Sequence, residues 1–124
     1  MKNTITGVYT VGIPVTDQDR ALDFYAGTLG LDTIRDNPVP QFGGRWIEVA
    51  PPGATTTLAL VPTREGVPAG VETGVRLVTA DAESLHSELR EGGIEVGEML
   101  RWPGVPAMFG VRDPDGNRFE IVEG

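Results

Sequence analysis

The sequence contains no cysteine, a single histidine and only ten basic residues. Without cysteine the chain can form neither a disulfide nor a thiolate metal site, and it has no cysteine nucleophile. The lone histidine, His86, excludes the two-histidine, one-carboxylate site of a non-haem iron dioxygenase. Ser84 and Ser87 lie on the same predicted helix as His86, so no Ser-His-Asp triad is indicated.

Basic residues are outnumbered by 18 acidic ones, which gives a net charge of −8. Phosphate binding needs a basic face, so nucleic acid is excluded as a partner. The acidity either attracts cationic ligands or simply keeps the protein soluble. No apolar run approaches the length of a membrane span, and the first residues do not resemble a signal peptide. We therefore expect a cytoplasmic protein with no membrane partner.

The chain repeats itself at an offset of 63 residues, so two copies fill its 124 positions. The matched pairs fall at strand ends, helix positions and turns: Val15-Thr16 with Val78-Thr79, Leu22 with Leu85, Gly30 with Gly93, Trp46 with Phe109, Pro51 with Pro114 and Gly53 with Gly116. At this length we expect a single domain. It comprises module 1 (1–62), a Gly- and Pro-rich linker (63–72) and module 2 (73–124).

Each module reads as β-α-β-β-β. The predicted strands are 8–15, 31–35, 45–50 and 56–61, then 74–79, 94–102, 107–112 and 118–123. Asp17 or Thr16 caps the first helix, which Gly30 ends, and Asp81 caps the second. Turns are expected at 51–53 and 113–117, and a break of the second strand at 37–40.

Three segments resemble the vicinal oxygen chelate superfamily, which includes glyoxalase I, bleomycin-resistance proteins and extradiol dioxygenases. They are Val15–Tyr25 with the following Leu29-Gly30-Leu31, Arg45–Gly53, and Asp113–Glu120. The resemblance implies an α+β fold in which two tandem βαβββ modules form a cupped, partly open mixed β-sheet barrel. It also implies a homodimer.

The metalloenzymes of that superfamily hold one divalent metal with two side chains from each module, drawn from His, Glu and Gln. By resemblance, these positions fall on Thr10, on Thr57 or Leu58, on Thr73 or Gly74, and on Glu120. One carboxylate remains, so we expect no metal and no other cofactor. The alternative is one divalent metal, for which Glu48 is a further oxygen ligand if its strand faces inward.

The few aromatic residues allow two interpretations, a ligand site or simple packing within the protein or a dimer interface, and the sequence favours packing for Trp46. We expect a cup walled by Phe42, Trp46, Trp102 and Met108, with Glu120 and an arginine inside. The full set of predicted ligand contacts is Thr10, Phe42, Arg45, Trp46, Glu48, Thr57, Trp102, Met108, Arg112 and Glu120. A one-residue change of register at 45–50 would exchange Trp46 and Glu48 for Arg45 and Ile47 at the wall, and the inward face of 107–112 is equally open.

Two functions are compatible with these residues. The first is a metal-free binding protein that holds an aromatic or cationic organic compound, like the drug-sequestering, antibiotic-resistance members of the superfamily. The alternative is a glyoxalase-type lyase or isomerase that acts on a small carbonyl compound, with Glu120 as base or metal ligand. Glu120 can instead form a simple ion pair with Arg118, Arg112 or Arg45.

Overall fold

The computed structural model describes residues 4–124, which fall into two compact units, one ending at Arg64 and the other beginning at Glu65. Each unit has its own open sheet, four-stranded in the first and three-stranded in the second. The α+β class predicted from the sequence is confirmed, and the division falls inside the predicted linker. No helix within residues 4–124 has the length and apolar character needed to cross a membrane.

The first unit has the predicted β-α-β-β-β order. Its elements are β1 (Thr10–Val15), α1 (Gln18–Leu22) continued by a π-helical turn (Asp23–Thr28), β2 (Asp32–Val39), a 3-10 turn (Pro40–Phe42), β3 (Gly44–Ala50) and β4 (Thr57–Pro62). The strand order is β1-β4-β3-β2, with β1 parallel to β4. Asp17 caps α1, because its carboxylate accepts from the Arg20 N–H. Gly30 ends the helical segment at φ 77°, where glycine is unstrained.

The expected break of the second strand at 37–40 is wrong for its first three residues. β2 continues to Val39, and Pro38 pairs with Arg45 in the antiparallel ladder. This is possible because β2 is an edge strand, where the missing N–H of a proline can lie on the unpaired side. The strand ends only at Pro40, where the 3-10 turn begins.

The helical segment of the first unit supplies core side chains, as predicted. Phe24 and Tyr25 are both buried, and their rings meet edge to face with centroids 5.0 Å apart. The strand residues of the same unit that are buried with them include Ile13, Val15, Ile47, Val49 and Leu60.

The second unit contains β5 (Glu72–Thr79), α2 (Ala82–Glu91), β6 (Met108–Arg112) and β7 (Arg118–Glu123), with the strand order β5-β7-β6. Asp81 caps α2 as predicted, accepting from the Ser84 N–H at 3.0 Å. His86 lies on the flank of α2. Its ring packs edge to face on the buried Phe109, and its Nε2 is 2.7 Å from the carbonyl oxygen of Gly97.

The prediction of a strand at 94–102 is wrong. This segment makes only two isolated bridges to β6, from Val96 to Val111 and from Leu100 to Met108. Val96 and Leu100 are four residues apart, whereas their partners Val111 and Met108 are three apart. The segment therefore has one residue more than β6 between the two bridges. The extra residue interrupts the ladder in the manner of a bulge, so no continuous strand forms.

The turn at 113–117 is confirmed and anchors the chain that precedes β5. Asn117 is fully buried, and its Oδ1 accepts from the backbone N–H groups of Gly70 at 2.9 Å and Val71 at 3.1 Å. Its Nδ2 donates to Oδ2 of Asp113 at 2.9 Å. Gly116 supplies the positive φ of the turn, 81°.

Candidate functional site

The strands β3 and β4 separate at one end of the first sheet. Their ladder consists of two residue pairs, Glu48 with Ala59 and Val49 with Leu58. Beyond these pairs the side chain of Gln18 bridges the gap. Its Nε2 donates to the carbonyl oxygens of Arg45 at 2.6 Å and Leu60 at 2.8 Å, and its Oε1 accepts from the Arg45 N–H at 3.0 Å.

Gly44 begins β3 at this opening. A Cβ at this position would come within 2.8 Å of Gln18 Oε1 and 2.9 Å of Pro62 Cγ. Such distances are shorter than van der Waals contact, so a larger residue here would force Gln18 or Pro62 to shift.

A cavity of about 460 Å³ lies at the opening, and its lining comes from both strands and the turns beside them: Phe42, Trp46, Val61, Pro62, Thr63 and Arg64. Its volume is in the range of small-molecule sites, and two of its six lining residues are aromatic. Phe42 reaches it from the 3-10 turn and keeps 42% of its surface exposed, whereas Trp46 projects from β3 and is half-buried.

The indole N–H of Trp46 contacts the carboxylate of Glu48, a residue that is only 1% exposed. Its Oε2 accepts hydrogen bonds from the hydroxyl of Tyr9 and from the indole N–H of Trp46, the latter at 2.5 Å. Its Oε1 accepts from the hydroxyl of Thr57 at 3.0 Å. The Nε of Arg35 lies 3.6 Å from Oε2.

These contacts decide the ionisation of Glu48. Burial raises the pKa of its carboxyl, but the hydrogen bonds from Tyr9, Trp46 and Thr57 and the charge of Arg35 outweigh it, so the net effect lowers the pKa below its ordinary value. Since internal donors occupy both oxygens, Glu48 is a poor general base. Its geometry suits it to fix the Trp46 ring at the cavity wall.

Residues 7–121 match the sequence model of the Glyoxalase/Bleomycin resistance protein/Dioxygenase superfamily. The chain belongs to this superfamily. The resemblance drawn from the three motif segments is thereby confirmed.

Three relatives, two of them of known structure, agree with this assignment along nearly the whole chain. TnmS3, an antibiotic binding protein from Streptomyces sp. CB03234, is 35% identical with a TM-score of 0.87, and the match covers 98% of both chains. A superfamily member from Sphaerobacter thermophilus DSM 20745 is also 35% identical, with a TM-score of 0.89 over 98% of this chain and 100% of the other. The uncharacterised protein YetH of Bacillus subtilis (strain 168) is 31% identical over 96% of this chain and 99% of its own length.

The two positions that the resemblance assigns to metal ligands in the first unit lie near Glu48. Thr10 is directly opposite Thr57 in the parallel ladder, so Thr57 rather than Leu58 is its neighbour. The two hydroxyl oxygens are 2.8 Å apart, and Thr10 also donates to the carbonyl oxygen of Thr57 at 3.1 Å. Thr10 therefore joins the hydrogen-bond network of Glu48 through the hydroxyl of Thr57.

The corresponding positions in the second unit are arranged differently. The hydroxyl of Thr73 donates to the carbonyl oxygen of Arg118 at 2.8 Å, and Gly74 has a φ of 73°. Within the described part of the chain, no group of three or more His, Asp and Glu side chains is close enough to share a metal ion.

The structure resolves the register of β3 in favour of Trp46 and Glu48. Ile47 and Val49 are buried, whereas Trp46 lines the cavity and contacts Glu48. Arg45, predicted as a ligand contact, is outside the cavity lining. Hydrogen bonds to Asp36 at 3.0 Å and Asp19 at 2.7 Å raise its pKa and hold its guanidinium.

The remaining predicted contacts belong to the second unit. Trp102 is 63% exposed, and Met108 is half-buried on β6. Arg112 pairs with Glu95 at 3.0 Å, and its guanidinium donates to the carbonyl oxygen of Gly116. Phe109 and Val111 are buried, which places Met108 and Arg112 on the other side of β6.

Glu120 is paired with arginine, as the simpler interpretation of the sequence expected. Its carboxylate lies 3.0 Å from Arg76 and 3.5 Å from Arg118, and its side chain is 15% exposed. Arg118 is among the three partners considered, whereas Arg76 is not. Arg76 stands directly opposite Glu120 in the ladder between β5 and β7.

Sequence reasoning missed Tyr9, Gln18, Arg35 and Arg64. Tyr9 and Arg35 meet Glu48 across 39 and 13 residues of chain, and no local pattern reveals such pairs. Arg64 stands at the start of the segment assigned to the linker. A signal was available for Gln18: a polar residue in the first turn of a helix that follows a buried strand lies near the ends of neighbouring strands.

Proposed function

We propose that this chain is a binding protein that holds an aromatic organic compound in the cavity of its first unit, without a metal and without chemical change. The observation that carries the proposal is the indole of Trp46, held by Glu48 on the lining of a cavity that Phe42 shares. An aromatic ligand can stack on a ring fixed in this way, and a fixed ring loses little entropy when the ligand binds.

One relative supports the binding of a small molecule. TnmS3 is an antibiotic binding protein, and its match covers 98% of the chain. A protein that holds a toxic compound stoichiometrically protects by mass action and needs only a cavity of suitable shape. We therefore propose antibiotic or drug sequestration as the cellular role.

The proposal is tested by titrating ¹⁵N-labelled protein with 2-naphthalenemethanol and following the two indole N–H signals of Trp46 and Trp102 by NMR. Assignment comes from Trp102→Phe. Saturable shifts of the Trp46 signal, absent with cyclohexanemethanol, are the expected result. Equal shifts with both alcohols, or none with either, would overturn the proposal.

Variants locate the site. Phe42→Ala should weaken binding of 2-naphthalenemethanol by about five- to tenfold, because one aromatic wall is lost. Val78→Thr, at an exposed position of β5 in the other unit, should leave binding unchanged. Trp102→Phe tests the sequence prediction that Trp102 also contacts the ligand, and weakened binding would add it to the site.

The metal-free part of the proposal has its own test. Native mass spectrometry of protein grown with added divalent metals should show the bare protein or an organic adduct, and dialysis against EDTA should leave affinity for 2-naphthalenemethanol unchanged. One tightly held metal per chain would overturn this part and make a lyase or isomerase the leading function.

That alternative rests on Glu120, a largely buried carboxylate on β7, as base or metal ligand. Its ion pairs to Arg76 and Arg118 support a structural role instead. If a small carbonyl compound is turned over, Glu120→Gln should abolish turnover and leave binding of neutral aromatics intact. Loss of that binding together with turnover would contradict a chemical role for Glu120.

We also propose that the protein is a homodimer, as the superfamily resemblance implies. Sedimentation equilibrium at micromolar concentration should give twice the chain mass of 13.2 kDa. A single 13.2 kDa species would exclude it.

A further inference from the structure

Arg64 lines the same cavity as Trp46 and Phe42, and its side chain is exposed. Within residues 4–124 no carboxylate lies within ion-pair distance of it. Most other arginines differ from it in this respect, because a carboxylate pairs with each of Arg35, Arg45, Arg76, Arg101, Arg112 and Arg118.

Three carboxylates of the first unit already have partners. Glu48 faces Arg35 and three hydrogen-bond donors. Asp36 and Asp19 are both taken by Arg45. Among the groups that line the cavity, the one formal charge is that of Arg64, and it is positive.

We propose that the ligand is an aromatic anion, a flat ring that stacks between Trp46 and Phe42 and carries a carboxylate that pairs with Arg64. This inference rests on the proposed function and specifies its ligand class. A guanidinium offers two parallel N–H donors in the geometry of a carboxylate, which a lysine or an amide cannot match.

The net charge of −8 repels an anion, but this repulsion comes from charges distant from the cavity. At physiological ionic strength charges are screened beyond about 8 Å, so exposed carboxylates elsewhere contribute little at the cavity. The local contact with Arg64 then decides which ligands are held, and the preference for anions decreases as salt is added.

The test compares 2-naphthoate, 2-naphthalenemethanol and 2-naphthalenemethylamine, which share one ring system and differ in charge. Each is titrated into wild type, Arg64→Gln and Arg90→Gln while the Trp46 indole signal is followed. Arg90 is an exposed residue of the last turn of α2 and serves as the charge-matched control. We expect wild type and Arg90→Gln to bind 2-naphthoate about fivefold more tightly than the alcohol, as for a partly exposed ion pair, and Arg64→Gln to lose that difference.

The outcomes separate this inference from the proposed function. If the alcohol binds at Trp46 but 2-naphthoate binds no more tightly, or the amine binds best, the anion preference is overturned and the binding function stands. An equal loss in Arg64→Gln and Arg90→Gln would likewise overturn the role of Arg64. If none of the three compounds shifts the Trp46 signal, the proposed function fails and this inference with it.

Discussion

The indole N–H of Trp46 donates to Oε2 of Glu48 at 2.5 Å, two positions along the same strand. Residues two apart on a strand point to the same face, so β3 itself sets this contact. Tyr9 and Thr57 then complete the coordination of the carboxylate from other segments. The buried charge is thereby satisfied, and the aromatic ring that lines the cavity has one orientation.

Replacing Glu48 with Gln should lower the free energy of unfolding. The lowered pKa of Glu48 means that the fold stabilises the ionised side chain more than the protonated one, which a glutamine resembles. Hydrogen bonds to a charged group are also stronger, so we expect a loss of about 1–3 kcal/mol in urea unfolding at pH 7. The Trp46 indole N–H should exchange faster with solvent.

Glu83→Gln is the matched control for this change. Glu83 pairs with Arg101 on the surface, where its side chain is 77% exposed. Such exposed pairs contribute little, so its unfolding free energy should stay within about 0.5 kcal/mol of wild type. Equal stability of Glu48→Gln and Glu83→Gln would show that the network around Glu48 does not stabilise the fold.

The stability of the protein should also depend on pH through Glu48. Because its pKa is lower in the folded state than in the unfolded chain, whose ordinary value is 4.5, protons bind the unfolded chain preferentially. The stabilisation is therefore fully present above that value and is lost as pH falls from it toward the lowered folded pKa. Urea midpoints between pH 7 and 3 should fall less steeply for Glu48→Gln than for wild type, and an equally steep fall in both would contradict this role of Glu48.

Local rules were sufficient to predict the helix caps and the tight turns. Asp17 and Asp81 accept from an N–H three residues ahead, and Asp113 accepts from Asn117, so each motif depends only on its own neighbourhood. The element order of the first unit followed from these boundaries and from hydrophobic patterning. The motif segments then allowed recognition of the superfamily.

Features that depend on pairing between distant segments could not be predicted. Alternation along 45–50 allowed two faces, and only contact with Tyr9 and Thr57 selects the one with Glu48. The failed strand at 94–102 depends on a one-residue mismatch against β6, which propensity does not register. Pro38 lies within a strand because β2 is an edge, and edges are a property of the whole sheet.

Asn117→Ala should be strongly destabilising. Its amide oxygen satisfies the N–H groups of Gly70 and Val71, and its amide nitrogen donates to Asp113. Removing it leaves buried polar groups without partners, so we expect a loss of about 2–4 kcal/mol in thermal or urea unfolding. Asn37→Ala, on the exposed edge strand β2, should change stability by less than about 0.5 kcal/mol. Similar losses in the two variants would contradict the anchoring role of Asn117.

Gly44→Ala should both destabilise the first unit and reshape its cavity. The added Cβ would overlap Gln18 Oε1 and Pro62 Cγ, so either the Gln18 bridge breaks or β4 moves away from β3. Overpacking of this kind costs about 1–3 kcal/mol, and binding of 2-naphthalenemethanol should weaken with it. Gly27→Ala is the control, because a Cβ there meets no atom within 4 Å. If Gly44→Ala kept both the stability and the affinity of wild type, the contacts of Gly44 with Gln18 and Pro62 would not constrain the fold or the cavity.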